Sequence, residues 1–336
     1  MRKRIAAGLI LFAAGVAGLG NVTLAQPPKD KAKANPTPRL YGHDLPVRAA
    51  GTSEVTAKTA RYGVDVFQDD TTKAAIAISQ VGSITVTAAE PLGAEKGRGW
   101  VAAYDIAVRK VGEPEFTQKT KKWGVELFKF PASNRLIYAS ESGAIAFAEI
   151  PANVGTNKGW KRSHGLDMKV REPGQVEFTN AKKFGVEAYL DQNTNGLLYV
   201  SEIGSLAATP GAPLGEGKKI LPPTALYGLE LKVRKSDEIE FSPKSKPMAV
   251  EVFEDPNTNV MIYVSETGFI ATAPVKKLVD MRGVDLVKGL NLKARKAGED
   301  DDSKAAKFGV EVFRDNRTGY LIFITETGSI SVLASK

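Results

Sequence analysis

The chain has 336 residues, of which 46 are basic and 38 acidic, so its formal net charge is +8. The absence of cysteine excludes disulfides, thiolate metal sites, a cysteine nucleophile and an acyl anchor on cysteine. The positive charge is scattered along the chain instead of clustered, which argues against a nucleic-acid partner.

The N-terminal segment has the features of an export signal. Arg2–Arg4 is a charged stretch, Ile5–Gly20 is apolar and rich in small residues, and Ala25 ends a small-residue cleavage site. We therefore predict a signal peptide over residues 1–25 and a disordered Pro/Lys-rich spacer over residues 26–40. The apolar stretch is short for a bilayer span and no second one follows, so we expect a periplasmic or secreted protein without a membrane span after cleavage.

The rest of the chain, residues 41–336, consists of five imperfect copies of one unit of about 61 residues. A phrase of the pattern Gly-Val-acidic-apolar-aromatic marks each copy, and successive markers are 61, 61, 64 and 60 residues apart. A period of this length is typical of propellers, solenoids and arrays of modules. The markers are Gly63–Phe67, Gly124–Phe128, Gly185–Tyr189, Ala249–Phe253 and Gly309–Phe313. The predicted repeats lie near residues 41–89, 103–150, 164–210, 227–274 and 288–335.

Each copy predicts four short strands, as the fourth copy illustrates. Leu229–Arg234 alternates apolar and charged residues, which is the pattern of a half-buried first strand, and the marker phrase forms the second strand. A turn over Asp255–Asn259 leads to Met261–Val264, a third strand that is apolar on both faces. A tight turn at Thr267–Gly268 then leads into the fourth strand.

This pattern predicts an all-β fold, and four antiparallel strands in each of five units favour a five-bladed β-propeller. The linkers between units are long for a propeller, so a linear array of small β modules is the alternative. The phrase around Tyr263 resembles the blade phrases of secreted propeller-repeat proteins in general. It resembles no particular family whose functional residues could be carried over.

Arginine and carboxylate residues recur at fixed places in the copies and have two interpretations. If the first strand lines the channel, its five arginines would form a ring that holds an anionic ligand. Pairing with the carboxylates of the adjacent second strand is the favoured interpretation, because five unpaired arginines would repel one another. The arginines are Arg48, Arg109, Arg171, Arg234 and Arg295, and the carboxylates are Asp65, Glu126, Glu187, Glu251 and Glu311.

The sequence predicts no catalytic residue, no metal ligand and no cofactor. Glutamates recur at the end of the third strand, and we interpret them as solvated turn-end residues or as backbone hydrogen-bond acceptors, since identical acids are poor acid–base pairs. Asp191–Glu202 fits the EF-hand loop pattern, but an extended third strand would carry Glu202 too far from Asp191 to close a calcium site. We therefore predict an Asx-type turn, with a weaker calcium site within the loop alone as the alternative. The two histidines, His43 and His164, stand at different places in their repeats. The recurring glutamates are Glu141, Glu202, Glu266 and Glu326.

The candidate ligand-binding residues are Trp100 and Trp160 with Arg98 and Lys158. The tryptophans end two linkers in similar phrases, and linkers and second-to-third-strand turns should emerge on one face of a propeller. Aromatic rings among basic side chains suit carbohydrate or peptide binding. The alternative is that each tryptophan fills the crevice between adjacent blades.

From these features we predict an exported, non-catalytic binding or scaffold protein. Its expected partner is a polysaccharide or protein of the cell envelope. A purely structural envelope protein without a small ligand is the first alternative, and a glycoside hydrolase-like enzyme is the second.

Overall fold

The structure is a computed structural model that describes residues 37–88, 98–130, 135–148 and 158–334. These ranges form five antiparallel sheets of four strands and contain no helix, so none that could cross a membrane. The predicted signal peptide and the spacer up to residue 36 lie outside the described residues.

Each sheet is one blade, built from four strands that are consecutive in the chain. Blade 1 contains β1 (Arg39–Val47), β2 (Ala60–Asp69), β3 (Ala74–Ser79) and β4 (Ile84–Ala88). Blade 2 contains β5 (Gly99–Val108), β6 (Lys121–Phe130), β7 (Arg135–Ser140) and β8 (Ile145–Ala148). Blade 3 contains β9 (Trp160–Val170), β10 (Lys182–Asp191), β11 (Gly196–Ser201) and β12 (Leu206–Pro210). Blade 4 contains β13 (Thr224–Val233), β14 (Lys246–Asp255), β15 (Val260–Ser265) and β16 (Ile270–Pro274). Blade 5 contains β17 (Val284–Ala294), β18 (Ala306–Asp315), β19 (Leu321–Thr325) and β20 (Ile330–Leu333).

The five blades form a closed ring, which confirms the five-bladed β-propeller. Each fourth strand packs against the fourth strands of both neighbours, and β20 of the last blade packs against β4 of the first. The alternative of a linear array is therefore wrong, because its two ends would not meet.

The first strand of each blade begins two to four residues before the predicted start of its repeat. In every blade its register with the second strand shifts once near this end, for example between Trp100 and Ala102. The extra residue of such a bulge interrupts the alternation of inward and outward side chains. A period-two pattern therefore recognises the strand only after the bulge.

The fourth strand, and not the first, lies at the axis, so the expectation that the first strand lines the channel is wrong. The fourth strands have four or five residues and carry many Ala, Ser and Thr side chains, which lets five edges converge. The longer first strands, with their charged residues, occupy the rim. The axial cavity is only about 50 Å³, enough for ordered water but not for a sugar or peptide.

Hydroxyl groups satisfy the inner edges of the blades. The Ile84 N–H donates to Ser329 Oγ at 3.0 Å, and the Ile145 N–H donates to Ser83 Oγ at 3.0 Å. These bonds occupy backbone groups that a strand edge would otherwise leave unpaired.

The recurring arginines pair with the recurring carboxylates, as favoured, but across the blade junctions instead of within a blade. Asp65 lies opposite Gly42 in its own blade, six positions from Arg48 along β1, so pairing within the blade is out of reach. Each arginine instead reaches the carboxylate of the next blade, and the last pair joins blade 5 to blade 1. The pairs are Arg48–Glu126 (2.7 Å), Arg109–Glu187, Arg171–Glu251 (2.5 Å), Arg234–Glu311 (2.5 Å) and Arg295–Asp65 (2.9 Å).

Close approach at these junctions explains two recurring glycines. A Cβ on Gly42 would lie 2.0 Å from the Arg295 guanidinium, and a Cβ on Gly63 of the marker phrase would lie 2.1 Å from the Arg295 carbonyl oxygen. Blades 2 and 4 accommodate alanine at one position each, as Ala103 and Ala249, whereas a side chain larger than alanine would separate the blades.

Three of the four glutamates that end the third strands accept backbone hydrogen bonds within the described residues, which is one of the two roles predicted for them. Glu202 accepts from the Val111 N–H at 3.2 Å and from the Gly185 N–H at 3.3 Å. At the next junction, Pro173 occupies the position of Val111 and Glu266 that of Glu202. Pro173 has no N–H to donate, and burial raises the pKa of Glu266.

Replacement of one junction arginine should destabilise the whole ring. Arg171→Met leaves the buried Glu251 carboxylate without its cation, and we expect a loss of roughly 3–5 kcal/mol in the free energy of unfolding. Urea unfolding followed by tryptophan fluorescence measures it. The matched control is Lys183→Met on an exposed position of β10, which should change stability by less than about 0.5 kcal/mol. Equal effects of the two variants would contradict a structural role for the pair.

Candidate functional site

The linkers between blades and the second-to-third-strand turns lie together on one face of the ring. The Lys158 N–H donates to Asn193 Oδ1 at 2.8 Å, and the Gln192 N–H donates to the Gly159 carbonyl at 3.1 Å. The Leu221 N–H makes the equivalent bond to the next turn. This face is the one that carries all four predicted ligand-binding residues.

The EF-hand-like turn is an Asx turn whose aspartate is used internally. Asp191 accepts hydrogen bonds from the Asn193 N–H at 2.8 Å and from the Tyr104 and Tyr138 hydroxyls, at 2.9 and 2.5 Å. Glu202 bonds to the backbone at the opposite end of the strand. No group of three or more acidic or histidine side chains in the described ranges is arranged to hold a metal ion.

The buried aspartate of blade 4 is capped in a similar way by a histidine. His164 Nε2 lies 2.8 Å from Asp255 Oδ2, and the other ring nitrogen lies 2.9 Å from Ser163 Oγ. Although burial alone would raise it, the bonds and charge of His164 lower the pKa of Asp255 to about 2. These are the residue types of a catalytic triad, but the imidazole is fully buried and takes the place of the Tyr227 hydroxyl on Asp315. His164 therefore pairs with a buried carboxylate between blades 3 and 4 in a structural role.

Trp100 is the second residue of β5 and forms one wall of a groove at the junction of blades 1 and 2. Its Nε1–H donates to Glu126 Oε2 at 2.7 Å, while Arg48 Nε donates to the other oxygen of the same carboxylate at 2.7 Å. The residue is nevertheless 53% exposed. The Arg98 guanidinium lies 5.9 Å from the centre of the Phe128 ring in the same groove, whose volume is about 610 Å³. Pro46, Ser53, Val55 and Ala103 complete the lining.

Trp160 lies at the next junction, between blades 2 and 3, where an arginine and not the tryptophan donates to the junction carboxylate. The residue is 37% exposed, and its ring meets the Tyr189 ring edge-on with 5.2 Å between the ring centres. The place of Trp100 is taken by Arg162, whose Nε donates to Glu187 at 2.7 Å. The Arg162 guanidinium also lies over the Phe116 ring at 4.7 Å. Each of these two junctions thus has one exposed tryptophan and one arginine in addition to its junction arginine.

The two tryptophans are therefore not equivalent, although their linker phrases look alike. Trp100 and Arg162 each lie nine positions before the junction arginine of their own blade. Arg98 and Trp160 each lie eleven positions before it. This count from the junction arginine identifies Arg162 as the equivalent of Trp100, whereas the similarity of the two linker phrases did not reveal it. The alternative that Trp100 fills the crevice between adjacent blades holds only for its N–H edge, since half of the residue is exposed.

The residue nine positions before each junction arginine differs among blades, and so does the number of donors to the junction carboxylate. Ala225 and Leu286 occupy this place in blades 4 and 5 and donate no hydrogen bond. Glu311 Oε2 is consequently buried without a hydrogen bond from the described residues. Burial raises the pKa of Glu311 to about 7 and also raises the pKa of Glu251.

No family model matches the chain, and comparisons with curated proteins and with solved structures gave no match. Function is therefore inferred from the residues of the chain itself.

Substitutions at Trp100 should separate its structural bond from its exposed ring. Trp100→Phe removes the donor to buried Glu126 and should cost about 1.5–3 kcal/mol of unfolding free energy. Trp100→Arg places at this position the residue that blade 3 uses there and should cost less than about 1 kcal/mol. Urea unfolding compares them. Equal losses would show that packing of the indole, and not its N–H, supports the junction.

Glu311 should make stability depend on pH. Its folded pKa of about 7 exceeds the ordinary value of 4.5, so its contribution is complete below pH 4.5 and is lost as pH rises through 7. The loss is at most roughly 3 kcal/mol. Glu311→Gln should flatten the decline in urea stability between pH 5 and 8, because the amide does not titrate.

The control for this experiment is Glu187→Gln. Glu187 accepts from both Arg109 and Arg162, so an amide there should destabilise the protein over the whole pH range. Identical pH profiles for wild type and Glu311→Gln would contradict the assignment to Glu311.

Proposed function

We propose that this chain is an exported, non-catalytic protein that binds carbohydrate of the cell envelope, with the Trp100 groove as its binding site. One observation carries the proposal. Trp100 is half exposed, and its indole ring is held in a fixed orientation by the bond from its N–H to buried Glu126, beside the Arg98 guanidinium.

A fixed tryptophan suits a sugar ligand for two physical reasons. Its ring offers a large flat apolar surface that can stack on the C–H face of a sugar ring. Because the Glu126 bond already restricts the side chain, binding costs less conformational entropy than it would at a mobile ring. Arg98 makes no hydrogen bond or ion pair within the described residues, so its donors are available to sugar oxygens.

The surroundings of Glu126, the carboxylate that holds Trp100, favour binding over hydrolysis. Both oxygens of Glu126 are occupied, one by Arg48 and one by Trp100, and the residue is fully buried. Hydrolysis of a glycoside requires a pair of acids that contact the sugar. The proposal of a periplasmic or secreted location rests on the predicted signal peptide, residues 1–25.

A glycan and peptidoglycan array tests this proposal with the purified chain. We expect reproducible glycan binding that Trp100→Arg weakens about tenfold, since the stacking surface is lost while the bond to Glu126 is kept. Trp100→Phe keeps an aromatic face and should bind within about threefold of wild type at a temperature where it is folded. Ile239→Ala, on an exposed loop residue far from this face, is the control that should bind unchanged.

Two results would count against the proposal. Glycan binding that Trp100→Arg leaves unchanged would move the site away from the groove. An array without any hit would remove carbohydrate as the ligand and direct the search to protein partners.

A further inference from the structure

The junctions on either side of blade 2 present the same two chemical groups in exchanged positions. At the first, Trp100 lies above the carboxylate and Arg98 lies two residues earlier. At the second, Arg162 lies above the carboxylate and Trp160 lies two residues earlier. The exchange preserves the combination of one exposed indole and one guanidinium, which the described parts of the other three junctions do not have.

The exposed polar groups of these two junctions are mainly donors with positive charge. Lys158 is exposed, and its side chain makes no hydrogen bond or ion pair within the described residues. Lys161 pairs with Glu216, an exposed linker residue. The junction carboxylates, Glu126 and Glu187, are fully buried and already accept two donors each.

This imbalance distinguishes a glycan from a peptide. An extended peptide offers as many N–H donors as carbonyl acceptors, so its site needs exposed acceptors, and the two junction carboxylates do not supply them. An acidic glycan offers hydroxyl and carboxylate oxygens, which match guanidinium and ammonium donors, together with C–H faces that match indole rings.

We propose that the Trp100 groove and the surface formed by Trp160 and Arg162 are two subsites of one extended site for an acidic polysaccharide that crosses blade 2. This inference rests on the proposed function and adds the charge class of the ligand and the second subsite. A polymer that reaches both subsites binds the second one intramolecularly, so its affinity exceeds that of a short oligomer by roughly 100-fold or more.

Calorimetric titration of the full chain with oligogalacturonates of increasing length tests the inference, with neutral glucans of the same lengths and poly-glutamate for comparison. We expect two short oligomers per chain but one long oligomer, a roughly 100-fold gain in affinity with length, and weaker binding at higher salt. Trp160→Ala and Trp100→Arg should each reduce the short-oligomer stoichiometry to one and abolish the length gain. Ile239→Ala should retain both.

The outcomes separate this inference from the proposed function. If Trp160→Ala behaves as wild type at every length, the second subsite is wrong while the Trp100 site stands. If neutral glucans bind as tightly as oligogalacturonates, the acidic class is wrong, and if poly-glutamate binds more tightly than either, the ligand is an acidic peptide. Absence of binding by every glycan would remove the proposed function as well.

Discussion

The ring of arginine–carboxylate pairs is the interaction on which the rest of this structure depends. Each pair is buried or nearly so and joins one blade to the next, and Arg295–Asp65 closes the circle. The same arginines also donate to a carbonyl of their own following loop, as Arg171 does to Val176 at 3.0 Å. A buried ion pair adds little net stability against a hydrophobic alternative, but a missing partner is costly. The ring therefore acts mainly to specify how each blade meets its neighbour.

Several recurring features of the repeat follow from that constraint. The residue opposite the carboxylate in its own blade must be small, because the guanidinium of the preceding blade occupies the space of its side chain. Four blades have glycine there and blade 2 has Ala103. The glycine of the marker phrase likewise admits the backbone that follows the arginine. The repeated phrases thus describe the junctions of the ring as much as the strands themselves.

The blades differ in the residue that lies on the second side of the junction carboxylate, where the arginine does not reach. One side of every junction carboxylate is always met by an arginine, but the other side is met by Arg39, Trp100, Arg162, Ala225 or Leu286 in successive blades. Variation at this one layer leaves the ring intact while it changes the rim. It produces a half-exposed indole at one junction and a carboxylate with a raised pKa at another. A function specific to this chain is therefore to be sought at the rim.

Much of the fold was predictable from the sequence because its evidence is local. The repeat period, the alternation of Leu229–Arg234 and the two-sided apolar character of Met261–Val264 report burial of strands within one blade, and neighbouring residues are sufficient to detect it. The surface that carries Trp100 and Arg98 was predictable for the same reason, since turns and linkers alternate between two faces of a blade. Only the tertiary structure decided that the fourth strand lies at the axis and that Arg48 pairs with Glu126 of the next blade. These depend on contacts between different blades: Ile145 and Ser83 at the axis are 62 positions apart, and Arg48 and Glu126 are 78 apart. No local pattern in the sequence encodes contacts at such separations.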